Sequence, residues 1–241
     1  MNFNEYEKVS LGVDCVIMST DTHIEDNCRM EARRALQVLL IKRNIEPFNG
    51  YWSIPGGLVD FDKGLTETIN TKLFKKVNLG DVYKEQLYTY GDDVNRDPRG
   101  RVVSVAYLAM AAKEKLAEIH DTGYGEVKWF WVALNKDNNI VIRDPSGFET
   151  DIKLAFDHKK IIEDAVLRMR GKVMYTDIAF QMVPDKFTMR ELQDVYECIL
   201  GKPIYSFRRV IGDKVRDTNE FSAIKAHRPA KLFEYNKESE K

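Results

Sequence analysis

The chain has 241 residues, 44% hydrophobic and 31% charged, with a formal net charge of −1. That length buries one large core or two modest ones, and the composition is that of an ordinary soluble globular protein. No apolar run approaches the roughly 18 residues of a membrane span, and "MNFNEYEKVSLGVDCVIMST" lacks the basic head and unbroken apolar centre of a signal peptide. Cys15, Cys28 and Cys198 are odd in number and far apart, which reads as reduced thiols in a cytoplasmic protein with no membrane partner.

In chain order, "LGVDCVIMS" and "ALQVLLIKR" are strands by their β-branched and aliphatic content, joined by a long polar hairpin insertion, "TDTHIEDNCRMEARR". "YWSIPGGLVD" is a short strand ending in a glycine turn. Residues 65–77 set Leu65, Ile69, Leu73 and Val77 four apart, one apolar stripe of a helix. "KEQLYTYGD", "GRVVSVAYLAMAA" and "VKWFWVAL" are further strands. The order predicts an α/β fold, a mixed sheet with helices on its faces.

After turn residues near 150–157 the character changes. "DHKKIIEDAVLRMRGKV" is an amphipathic helix with Asp157 as N-cap. "FTMRELQDVYECILG" is a second, opened by a Thr188/Glu191 capping box and closed by Gly201. "KPIYSFRRVIGD" is a third, with Pro203 in its first turn and Phe207, Val210 and Ile211 packed inward. Two extended stretches, about 215–221 and 230–236, complete a winged helix-turn-helix domain. The expected division is a domain over residues 1–154 and a winged helix over 155–241.

Charge is divided unevenly. Residues 1–157 hold 20 basic and 25 acidic side chains, while 201–232 hold eight basic and three acidic. A basic segment on an acidic body points to a polyanion partner for one part only, against the plainer reading of a solvated face. The third helix leaves Tyr205, Arg208, Arg209 and Gly212 outward, where guanidinium groups can read guanine edges or clamp phosphates. Ser206 can donate to a phosphate, Lys214, Arg216 and Lys231 can flank it, and Lys225, His227 and Arg228 sit at the ribbon tip. Winged helices also mediate protein contacts, so an interaction module without DNA is the competing reading. His120 and His158 read as surface or cap residues, not ligands.

Residues 10–135 resemble a Nudix domain, whose signature is G-x5-E-x7-R-E-U-x-E-E-x-G-U with U a bulky apolar residue. Gly57 starts the match, and Leu73 and Leu79 keep its apolar positions. Lys63 stands for the first Glu, Thr71 and Lys72 for Arg-Glu, Lys75 and Lys76 for Glu-Glu, and Asn78 for the last Gly. The family's carboxylates hold Mg²⁺ against a diphosphate. Ammonium groups there repel a dication, and Glu67 is the single carboxylate within 64–79, so neither catalytic residues nor a metal or cofactor are expected. The lysines are either a solvated helix face or a direct phosphate contact. In "NRDPRGRVVSVAY", Asp97 and Arg99 form either an ion-paired turn or, with Arg101, Arg43 and Trp52, a ligand site at the strand mouth.

The C-terminal stretches "YTDIAFQMVPDKFTMRELQDVYECILGKPI", "FRRVI" and "HRPAKLFEY" resemble those of Nudix-related transcriptional regulators, which fuse a weakly active or inactive Nudix domain to a winged helix. That resemblance implies a DNA-binding regulator, a repressor, working as a homodimer on a double-stranded operator. It implies an effector of nucleotide, nucleotide-sugar or sugar type, with Asp97 and Arg99 near its pocket. The alternative is a divergent hydrolase acting on a nucleoside diphosphate derivative such as ADP-ribose.

Overall fold

Two alternating apolar rows along one long strand set the architecture. In β1 (Ser10–His23), Val16 and Met18 face one way and Val13, Cys15 and Ile17 the other, and all are buried. Both faces of the sheet must therefore be covered. The computed structural model describes residues 7–23, 33–77, 82–116, 125–146, 151–222 and 229–240. The hairpin insertion at 24–32, Cys28, His120 and the ribbon-tip residues Lys225, His227 and Arg228 lie outside the described residues, as do the side chains of Lys72, Leu73, Lys75 and Lys76.

The strands are β2 (Arg33–Lys42), β3 (Trp52–Ser53), β4 (Gly56–Leu58), β5 (Tyr83–Tyr90), β6 (Val102–Met110), β7 (Val127–Leu134) and β8 (Ile140–Arg143). With β1 they form a mixed sheet of order β5-β6-β1-β2-β7-β8, with β3 on β2 and β4 on β1. Only the β1–β6 ladder is parallel among the described pairs. β1 and β2 run further into the insertion than their apolar residues indicate, because Asp21–His23 pair with Arg33–Ala35. β8 was not anticipated; its four residues offer too short an alternation to read. Helix α1 (Leu65–Val77) covers one face through Leu65 and Ile69, against Val13, Cys15, Ile17 and Leu39.

The other face carries the C-terminal elements: α2 (His158–Lys172), β9 (Phe187–Thr188), α3 (Met189–Leu200), α4 (Phe207–Ile211), β10 (Val215–Phe221) and β11 (Lys231–Tyr235), the strands in order β10-β11-β9. Ile161, Ala165 and Met169 of α2 and Leu192, Val195 and Ile199 of α3 join Val38, Leu40, Leu108 and Phe130 of the sheet in one apolar cluster. The capping box at Thr188/Glu191 is formed, and Gly201 takes φ 69° to end α3. Ionic ties cross the same seam, with Lys172 on Glu85 at 2.5 Å and Arg34 on Glu191 at 3.8 Å.

The third helix departs from expectation. It spans five residues, with Pro203 outside it. Glu197 accepts from the Ile204 amide at 2.9 Å and Gln193 donates to the Ile204 carbonyl at 3.1 Å. Ser206 then takes φ 56°, so the helix cannot begin before Phe207. Phe207 and Ile211 are buried, Phe207 edge-on to Tyr196 at 5.2 Å, but Val210 is exposed. One turn of helix has room for only two inward side chains.

Candidate functional site

A cavity of about 200 Å³ opens at the ends of β1, β4 and β6, on the sheet face that carries α2. Three segments wall it: Arg43 and Ile45 after β2, the Arg96–Arg99 turn before β6, and Phe156–His158 at the start of α2. Among the described residues, helix α1 supplies none of its lining. Gly56 is required here, since a Cβ would lie 2.6 Å from the Val13 carbonyl and 2.3 Å from Asp14 Oδ1. That closeness brings β4 against Asp14.

The cavity has two polar ends. At one, Arg43 donates from Nε to the Pro47 carbonyl at 2.8 Å, and among the described residues no carboxylate lies within ion-pair distance of it. Burial, then the neighbouring Arg99 guanidinium, push its pKa down, with Asp97 and Glu46 acting the other way. Arg99 itself is chelated by Asp97, at 3.0 Å from Nε and 2.7 Å from Nη2, and those bonds hold Asp97 below the usual carboxylate range. Both guanidiniums rest on the ring of Phe156, at 5.0 Å for Arg43 and 5.6 Å for Arg99.

At the other end, Asp14 accepts from Ser104 Oγ at 2.5 Å and faces Arg96 Nη2 at 3.8 Å and His158 Nε2 at 3.9 Å. Arg96 grips Asp157 with two bonds, 2.8 and 2.6 Å. The carboxylate expected to cap α2 makes no capping bond because it is engaged there. His158 is 4% exposed, and its Nδ1 accepts from the Ile54 amide at 3.1 Å. Burial lowers its pKa, so it stands neutral with its proton toward Asp14. It is a core residue, not the surface or cap residue its place at a helix start implies.

Of the residues expected to meet a ligand, Arg43, Asp97 and Arg99 line the cavity. Trp52 does not. It is 2% exposed, edge-on to Phe130 at 4.6 Å, and its backbone pairs with Lys153 and Ala155. Arg101 lies beyond the lining, its Nη1 3.4 Å from the Asp93 carbonyl. The residues that sequence reasoning missed are Asp14, Arg96, Ser104, Phe156 and His158. A lone carboxylate in the apolar run "LGVDCVIMS" was the available signal for Asp14; nothing local marks Phe156. Lys63, at the first signature position, is bonded to Asp60 at 2.8 Å, and Glu67 is exposed, so the described residues there do not fit a Mg²⁺ site.

On the far side of the C-terminal half, Tyr205 is 84% exposed, and Arg208 and Arg209 are exposed with no carboxylate partner among the described residues. Ser206 makes no capping bond. Arg208 also lies 5.8 Å from the Phe233 ring centroid. The flanking cations differ from expectation: Lys214 is held by Asp177 at 2.7 Å, Arg216 by Glu234 at 2.5 Å and Lys231 by Asp217 at 2.8 Å. Of the described cations expected to meet DNA, Arg208 and Arg209 are thus the two without an ion pair. No helix among the described residues is long and apolar enough to cross a membrane.

Comparison with known proteins agrees with this two-part layout. Residues 27–144 match the NUDIX domain family and 179–235 the NrtR DNA-binding winged helix domain. An Acinetobacter baylyi protein named ADPR responsive transcriptional repressor NtrR is 32% identical over 238 residues, 96% of this chain and 84% of its own. The crystal structure of Shewanella oneidensis NrtR complexed with a 27mer DNA is 33% identical, covers 94% of this chain and 93% of that one, and has a TM-score of 0.71. An ADP-ribose pyrophosphatase of Methanocaldococcus jannaschii is 31% identical over 128 residues, 53% of this chain and 64% of its own. The two relatives named NtrR and NrtR are matched along nearly the whole chain, and the pyrophosphatase along about half of it. The chain belongs to the NrtR family of Nudix-related, DNA-binding transcriptional regulators.

Proposed function

We propose that this chain represses transcription by binding an operator through α4 and its wing, and that ADP-ribose or a close nucleotide sugar bound in the cavity weakens that binding. The observation carrying this reading is the cavity's polarity. Among the described residues Arg43 makes no ion pair, which suits a phosphate, while Asp14 at the opposite end suits ribose hydroxyls. The effector named for the Acinetobacter relative has both groups. Residues 1–154 act as sensor and 155–241 as DNA-binding domain, in a cytoplasmic homodimer reading two half-sites, since one winged helix covers too little DNA for high specificity. Tyr205, Ser206, Arg208 and Arg209 face the bases, Lys214 the adjacent phosphate once freed from Asp177, and Lys225, His227 and Arg228 the neighbouring backbone.

The decisive experiment measures affinity for duplex DNA from upstream of the chain's own gene, with and without ADP-ribose. Specific binding that ADP-ribose weakens supports the reading. Binding indifferent to ADP-ribose sinks the effector assignment, and no preference over random duplex sinks the operator assignment. The hydrolase reading draws on the pyrophosphatase likeness alone. Lys63 in place of a metal-binding carboxylate opposes it, so no chelator-sensitive turnover of ADP-ribose with Mg²⁺ or Mn²⁺ is expected.

A further inference from the structure

We infer that the Phe156 ring occupies part of the effector site in the unliganded protein, and that its displacement carries the signal to α2. This rests on the effector reading above and adds how the site is gated. The cavity of about 200 Å³ is smaller than the roughly 300–1,000 Å³ usual for organic ligands, and a nucleotide sugar is a large ligand. The described lining thus takes in only part of such a ligand, and Phe156 is its bulkiest side chain. Phe156 lies at the positive end of the cavity, with both guanidiniums on its ring, Phe48 edge-on at 4.8 Å and His158 at 5.3 Å.

The backbone there is strained, since Phe156 takes φ 52°, which side chains other than glycine seldom adopt. Such a residue is held by its surroundings. A phosphate offers Arg43 charge-assisted hydrogen bonds, stronger than its contact with a ring face, and so competes directly for the group holding Phe156 in place. Once released, Phe156 cannot move alone. Its neighbour Asp157 is clamped to Arg96, and His158 receives the Ile54 amide. Both belong to the N-terminus of α2, whose Ile161 and Ala165 sit in the core shared with α3. Entry of the effector is thereby tied to the seating of the DNA-binding half.

The test is Phe156→Gly, which removes the ring and adopts a positive φ without strain. Phe156→Leu keeps bulk but loses the π face. Calorimetric titration with ADP-ribose and operator affinity with and without it are measured on each full-length protein. The glycine variant is expected to bind ADP-ribose about tenfold more tightly, because no fraction of the site is self-occupied, while its operator affinity no longer responds. The leucine variant should also bind more tightly yet keep its response. Binding by the glycine variant alone, with none by the wild type, also supports the inference. If the wild type binds and the glycine variant binds no more tightly, the inference fails and the effector reading stands. The same holds if the glycine variant binds more tightly but its operator response is intact. Absence of ADP-ribose binding in all three proteins overturns both.

Discussion

At the scale of single residues, two side chains of the cavity differ in kind from their neighbours. Among the described residues Arg43 makes no ion pair, whereas Arg99 is chelated by Asp97. Arg43→Ala should therefore weaken ADP-ribose binding by about 1.5–3 kcal/mol, the range for a charge-assisted hydrogen bond. Arg99→Ala should cost less and Arg101→Ala almost nothing, all read by calorimetric titration. His158 answers to pH. Its folded pKa is depressed below 6.5, first by burial, so below pH 6.5 the unfolded chain takes up a proton that the native state refuses. Its contribution is intact above 6.5 and is lost as pH falls toward the depressed value. Urea midpoints should drop on acidification from about pH 7 to about pH 5.5, and less steeply in His158→Gln, which keeps an acceptor for the Ile54 amide. Equal slopes in both proteins would show that other groups carry the acid sensitivity.

At the scale of elements, the helix proposed to meet DNA, α4, has five residues and could not persist by itself. It is held by Phe207 and Ile211 below and by the Glu197 and Gln193 bonds to Ile204 before it. What remains outward is short and basic. Arg208→Ala and Arg209→Ala should each cost operator binding about 1–3 kcal/mol where they meet base edges, with little change toward random duplex. On the proposed reading, the flanking cations reach phosphate only after their ion pairs open. Asp177→Asn releases Lys214 and should strengthen binding to all duplexes, steepening the log–log salt dependence by roughly one unit. An unchanged slope in anisotropy titrations would mean that Lys214 does not reach the phosphates.

At the scale of the whole molecule, the sensor sheet and the winged helix share one apolar cluster reaching from Val16 to Phe233. Removing either half exposes the other's buried residues, at about 1.5–3 kcal/mol for each large side chain left in water. Thermal unfolding should therefore be a single cooperative transition, with tryptophan fluorescence (Trp129 and Trp131 in β7) and far-ultraviolet dichroism melting together. Two separated transitions would contradict a shared core. ADP-ribose should raise that single midpoint by mass action.

Local patterns were enough for α1, whose apolar spacing marks residues 65–77, for the capping box at Thr188, and for the wing strands at 215–221 and near 231–235. They determined these because each depends on contacts within a few residues, helical periodicity, caps and alternation. The same is true of the lost carboxylates: Lys63 where a metal-binding Glu belongs is legible without coordinates. The effector cavity was legible only in part. Arg43, Asp97 and Arg99 declare themselves by charge, but Trp52 looked like a ligand platform and is core, while Asp157 and His158 do start α2 yet spend their side chains on Arg96 and the Ile54 amide, with His158 buried. Their roles depend on Asp14, Ile54 and Arg96, which lie 144, 104 and 61 residues from the positions they meet. Separations of that size are closed only when the C-terminal half packs on the sheet, so tertiary structure alone decided that Asp14, Ile54 and Arg96 meet Asp157 and His158 in one wall.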